Sequence, residues 1–258
     1  MELSNQVAVI TGGSSGIGAA IADALSTAGA KPVVWDRAPQ ADVVCDVTEP
    51  AQVNDAMRRT IDIAGVPSIL VASAGIVAGS ELLDLDLDEW DRVLSVNLRG
   101  ALICMKEFAA CLVDAGRGGS VLAVSSVNST VVDAGLAAYS ASKAALNMVV
   151  RIAAVEWGSL GIRVNAIGPG VTETPMVRFT SDPGYLRNLR ARTPLGDVGK
   201  PGQIAEAALN LIRSDWVTGQ VVMVDGGASL MTARSVWWGS RNQFGPLGTD
   251  DDPIDDPR

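Results

Sequence analysis

Six short runs rich in Val, Ile and Ala, at residues 7–10, 31–36, 69–72, 120–125, 163–167 and 220–224, are continuously apolar rather than alternating. A strand with one wet face alternates apolar with polar residues, whereas a strand covered on both faces does not. Helix-like segments fall between them, at residues 17–28, 51–64, 94–115, 138–159 and 203–212. This alternation predicts an α/β fold with one doubly wound parallel sheet of about seven strands and helices on both faces. Only six residues separate Asp36 from Val43. That is too short for a crossover helix, so the helix between the second and third strands is expected to be missing and the third strand to be short. Residues 1–234 read as one domain.

Two stretches depart from the pattern. Residues 173–199 carry Pro175, Pro183 and Pro194 with Arg178, Arg187, Arg190 and Arg192, which marks a lid, and a Ser181-Asp182-Pro183 helix start lies inside it. Residues 235–258 form a C-terminal extension that runs through Trp237, Trp238 and Phe244 into TDDDPIDDPR. Large aromatic rings are rarely left in water, so the first part is expected to dock at the pocket mouth or on a subunit interface. The Asp-rich end is expected to be disordered.

The composition narrows the function classes. Among 258 residues, 20 Lys+Arg face 29 Asp+Glu, a net charge of −9 that opposes phosphate neutralisation and hence nucleic-acid binding. Histidine is absent, which removes Ser-His-Asp and Cys-His catalysis and imidazole-held metals. Cys45, Cys104 and Cys111 fit no CxxC spacing and read as reduced thiols. Neither a signal peptide nor an uncharged apolar stretch of membrane-spanning length is recognisable, so a cytoplasmic protein is expected, with no membrane partner.

Directly after the first strand, Thr11-Gly12-Gly13-Ser14-Ser15-Gly16-Ile17-Gly18 leads into a helix. Such a turn brings backbone N–H groups and a helix N-terminus to one point, which suits a pyrophosphate. Asp36 closes the second strand, where its carboxylate can accept from both hydroxyls of an adenosine ribose and repel a 2′-phosphate, favouring NAD over NADP. Arg37 beside it could pair with that phosphate, but Ser14 and Ser15 supply no second cation. Asp46 and Val47 stand where an adenine amino group could be held; alternatively, Asp46 serves a helix start ahead of Thr48.

Tyr139 and Lys143 are one helical turn apart on one face. A neighbouring ammonium stabilises a tyrosinate and lowers the phenol pKa towards the working pH of a general acid–base. Ser126 ends a strand thirteen residues earlier, placed to hydrogen-bond a substrate oxygen.

With these residues in place, the stretch from Val7 to Gly227 resembles the short-chain dehydrogenase/reductase family in its ordinary branch of about this length. The motifs that carry the resemblance are TGGSSGIG (11–18), SAG (73–75), Asn97, Ser126 with Tyr139-Ser-Ala-Ser-Lys143, PG (169–170) with Thr174, and VDGG (224–227). It implies a Rossmann-like NAD-binding catalytic domain in which Tyr139 carries the proton and Lys143 lowers its pKa and binds the nicotinamide ribose. It also implies that Ser126 orients the substrate oxygen and Asn97 holds a relay water. By the same resemblance Gly12, Ser14, Ser15, Gly16, Ile17, Gly18, Asp36, Arg37, Asp46, Val47, Ala74, Gly75, Pro169, Gly170, Thr172 and Thr174 contact the cofactor. The family's usual Asn before Ala-Gly is Ser73 here, so the amide that braces the central strand is lost.

The expected activity is hydride transfer between NAD and a secondary alcohol or ketone. Met176, Phe179, Leu186 and Leu189 on the lid suit an apolar substrate. The alternatives are an NADPH-linked 3-oxoacyl-carrier reductase that uses the lid arginines and a non-catalytic NAD(H) sensor. Apolar and small residues along 141–152 and 94–115 suggest pairing of these helices in a homotetramer, with a dimer as the fallback.

Overall fold

The computed structural model describes residues 1–177 and 183–231; Arg178, Phe179 and the extension with Trp237, Trp238 and Phe244 lie outside them. The strands are β1 (Val7–Thr11), β2 (Lys31–Asp36), β3 (Val43–Val44), β4 (Ile69–Ala72), β5 (Gly119–Val124), β6 (Ile162–Pro169) and β7 (Val221–Val224). They form one sheet in the order β3-β2-β1-β4-β5-β6-β7, with every neighbouring pair parallel. The chain passes from β2 to β3 without a helix.

Successive residues on each strand point to opposite faces, so the continuous apolar runs feed two cores. Val9, Trp35, Leu70 and Val121 join one core beneath α2 (Pro50–Ala64), α4 (Ala101–Asp114) and α5 (Ala137–Trp157). Ala8, Ile10, Val71 and Leu122 join the other beneath α1 (Gly16–Thr27) and α7 (Pro201–Arg213). All five residues of β1 and all six of β5 are buried, as the lack of alternation predicts.

The expected single helix over 94–115 is corrected. A separate helix, α3 (Leu87–Leu94), precedes it, and a π-helical turn, Ser95–Gly100, joins α3 to α4. Asp86 starts α3 by accepting from the Asp88 N–H at 2.9 Å, a cap hidden in an acid-rich stretch that otherwise reads as loop. In the lid, α6 (Pro183–Arg192) begins at the proline of the expected start signal. No helix among the described residues is long and apolar enough to cross a membrane.

Candidate active site

β2 lies on one side of β1 and β4 on the other. The strand order therefore reverses at β1, and a crevice opens at the carboxyl ends, where ligands bind in sheets of this kind. The glycine turn fills its near side. Gly12 has φ +65°, and a Cβ there would lie 2.7 Å from the Ala74 Cα, so only glycine lets β1 and the loop after β4 approach so closely. Thr11 binds the same loop: its Oγ1 accepts from Ser73 N and Ala74 N, each at 3.1 Å. The bracing that the absent asparagine would give thus has a local substitute, which sequence reasoning missed.

α1 opens at Gly16 with Ser15 as its N-cap; no side chain caps it, and its first turn holds no acid. The free N–H groups at that end face the crevice and fit an anionic diphosphate. Asp36 is aimed at the turn, with Oδ2 accepting from Ser14 N and Oδ1 from Ala38 N, both at 3.1 Å. Arg37 leans away to Asp46, with Nε 3.6 Å from Oδ2. Asp46 Oδ1 takes the Thr48 N–H at 3.0 Å and the Thr48 hydroxyl at 2.7 Å. Burial pushes the Asp46 carboxyl up, but these bonds and Arg37 together hold it below the usual range. The helix start weighed for Asp46 is corrected: Glu49 is the N-cap of α2, while Asp46 closes a turn onto Thr48 and borders the cavity.

Opposite, the first two turns of α5 carry Tyr139 and Lys143. Lys143 is 4% exposed, its Nζ donates to the Val124 carbonyl at 2.8 Å, and it lies 5.7 Å from the centre of the Tyr139 ring. Burial pulls the Lys143 ammonium down to about 8. Burial also raises the Tyr139 phenol, against which a hydrogen bond with Ser126 acts. The sequence leads one to expect Lys143 to lower this phenol; here the one opposing influence is the Ser126 hydrogen bond, and burial outweighs it. Ser126 caps a short turn by accepting from Asn128 N at 3.1 Å.

Asn97 lies fully buried in the π turn, a geometry frequent at functional sites. Its Oδ1 accepts from Ile76 N at 2.8 Å, and its Nδ2 donates to Ile76 O at 2.9 Å and to Ser142 Oγ at 3.1 Å. The amide is committed to locking the loop after β4 against α5. Ser142, which links it to the Tyr139 carbonyl at 2.6 Å, is a second residue that sequence reasoning missed.

One cavity of about 350 Å³ joins these parts. It is bordered by every residue assigned above to cofactor or catalysis except Ser14 and Asn97. Ser14 Oγ is buried without a hydrogen-bond partner among the described residues. The lining also includes Trp35, Cys45 and Ile76, which no motif announced. Uncapped N–H groups, an anchored carboxylate and an open cavity make the residues present fit a nicotinamide dinucleotide.

Fold and cavity together define a Rossmann-like dinucleotide oxidoreductase. A family model described as enoyl-(acyl carrier protein) reductase matches residues 12–229. The chain is 37% identical over 242 residues to the cis-4-hydroxycyclohexanecarboxylate dehydrogenase of Sinomonas cyclohexanicum, covering 86% of this chain and 96% of that one. It is 34% identical over 245 residues to the galactitol 2-dehydrogenase (L-tagatose-forming) of Cereibacter sphaeroides, covering 88% and 96%. Among solved structures, a gluconate 5-dehydrogenase from Burkholderia cenocepacia in complex with NADP and tartrate matches with TM-score 0.85 at 31% identity, covering 89% of this chain and 97% of that one. The chain belongs to the short-chain dehydrogenase/reductase family, and is an NAD(P)-linked oxidoreductase of its alcohol dehydrogenase and carbonyl reductase type.

The Lys143 environment yields a stability prediction. Its folded pKa of about 8 lies below the ordinary 10.5, so the folded state disfavours the ammonium. That cost is present in full below pH 8 and is relieved as pH rises from about 8 towards the unfolded value. Lys143→Met should therefore show a denaturation midpoint at or above that of the parent at about pH 7, with the difference moving in the parent's favour by about pH 10. A variant clearly less stable at neutral pH would contradict this.

Proposed function

We propose that the protein transfers a hydride between NAD and a secondary alcohol or ketone, with Tyr139 as the general acid–base. The observation that carries this reading is the half-buried Tyr139 at the end of the glycine-turn cavity, with the Lys143 Nζ 5.7 Å from its ring. When bound, the nicotinamide supplies the hydride donor or acceptor and, in its oxidised form, a positive charge that favours the tyrosinate. In oxidation the Tyr139 oxygen takes the hydroxyl proton of the alcohol while the hydride leaves the carbinol carbon; in reduction Tyr139 returns the proton. Ser126 holds the reacting oxygen, Lys143 stabilises the phenolate electrostatically and binds the ribose, and Asn97 braces the floor on which they stand. Ile76, Met176 and Val177 add apolar lining at this end, which favours an uncharged apolar substrate. Tyr139→Phe should lower kcat by about 10²–10⁴-fold while NADH binding, read by fluorescence titration, stays close to the parent. A Phe variant that keeps most of its turnover would refute the assignment.

Asp36 supports NAD over NADP, because its carboxylate is fixed at the end of β2. kcat/KM should be clearly higher with NAD, and Asp36→Ala should narrow the gap by removing the repulsion of a 2′-phosphate. Equal values in the parent would instead favour the NADPH-linked 3-oxoacyl reductase, with which the family model's description of an acyl-carrier reductase is compatible.

A homotetramer, or at least a dimer, is proposed from the apolar side chains left exposed on α5, with Met148 at 54%, Ile152 at 49% and Val155 at 84%. Of these, Ile152 borders a second groove, with Val149 beside it on α5 and Leu102, Ala109 and Val113 across on α4. Light scattering should return a multiple of the 26.7 kDa chain mass; a monomer at micromolar protein would exclude both assemblies.

A further inference from the structure

The lid helix carries a charge that the proposed reaction leaves unused. Between Pro183 and Lys200 stand four cations, Arg187, Arg190, Arg192 and Lys200, against one acid, Asp197, in a chain whose net charge is −9. α6 itself holds no acid. Arg190 pairs with Asp197 at 3.1 Å, while Arg187 and Arg192 are exposed and have no ion pair among the described residues. Exposed like charges on one short helix repel each other and attract whatever anion is held nearby.

The chain carries such an anion on a short tether. The last described residues leave the sheet beside the end of this helix. Leu195 N donates to Gly226 O at 3.1 Å, and Gly227 sits so close to Pro194 that a Cβ there would lie 2.8 Å from its Cγ. From Met231 it is 19 residues to Asp250, the first of the five aspartates at 250, 251, 252, 255 and 256. At about 3.3–3.6 Å per residue that length can span roughly 60 Å, against about 15 Å for the length of α6. A tether of this kind holds its end at up to millimolar effective concentration, so weak individual ion pairs suffice for occupancy.

We propose that residues 250–256 of the same chain dock on α6 around its exposed arginines, Arg187 and Arg192. This assignment does not depend on the reaction proposed above, and its test requires no turnover. Amide hydrogen exchange of α6 would be measured in the full chain and in a variant with all five tail aspartates replaced by Asn. Two salt levels are needed, about 10 mM and about 1 M, where the Debye length is about 30 and 3 Å. The α6 amides should exchange about three- to tenfold more slowly in the parent at low salt. The difference should vanish at high salt, and the Asn tail should have no further effect in an Arg187→Ser/Arg192→Ser background. Equal exchange with the Asp and Asn tails at low salt would overturn the proposal, as would a tail effect that persists without the two arginines. Protection that grows with protein concentration would assign the face to the tail of a second copy, and would overturn docking within one chain.

Discussion

The Thr11 hydroxyl oxygen receives two backbone N–H groups, from Ser73 and Ala74, at the point where β1 turns into the glycine loop. That pair of bonds, with the close approach of Gly12 to Ala74, ties the two strands that flank the reversal of strand order. The crevice exists because those strands send their helices to opposite faces. Its width is set by how tightly the two loops are drawn together. The open end of α1 and the carboxylate of Asp36 then face one side, and the loop that Asn97 grips at Ile76 faces the other. From Ile76 the connection continues through Asn97 to Ser142 and the Tyr139 carbonyl. The helix that carries Tyr139 and the glycine turn are thereby referred to a common scaffold of buried hydrogen bonds.

What was legible in the sequence was local. Continuous apolar strands announced a sheet covered on both faces, and the glycine turn and the Tyr139/Lys143 pair each lie within one turn or one helical repeat. The missing helix after β2 followed from counting residues. The π turn between α3 and α4 was not legible, because no pattern distinguishes Ser95–Gly100 from ordinary helix; its stability comes from Asn97 gripping a loop 21 residues earlier. Thr11 and Ser142 were missed for the same reason. Each acts through a partner distant in sequence or through a backbone atom, so its residue type alone carries no signal. Asp86 was missed differently, as one acid among many in a segment whose helix start is marked by a single cap.

Lys143 shows how function and stability pull apart in one side chain. An ammonium with 4% exposure and, among the described residues, only a backbone carbonyl as hydrogen-bond partner is a destabilising feature by any desolvation argument. Gly75 adds to the confinement, since a Cβ there would lie 3.6 Å from Nζ and 3.3 Å from Asn97 Oδ1. The same burial gives the charge its reach: in a low-dielectric site an ammonium near a phenol is worth far more than at the surface. Burial opposes ionisation of the phenol itself, so the balance at Tyr139 depends on positive charge gathered around it. A lysine that was comfortable here would be too well solvated to help.

The proposed preference for NAD turns on a similar competition between neighbours. Arg37 is the single cation adjoining Asp36, and its reach toward a phosphate depends on what else claims it. Asp46 does so at 3.6 Å, but Arg37 is 77% exposed and the pair is a surface ion pair worth about 0–1 kcal/mol. That is too little to hold the guanidinium against a dianionic phosphate. Asp36 is therefore the stronger determinant, because two backbone N–H groups fix its carboxylate, and a fixed charge repels without the freedom to move aside. The proposed discrimination therefore rests on a rigid anion outweighing a mobile cation, with Asp46 biasing the cation in its resting position.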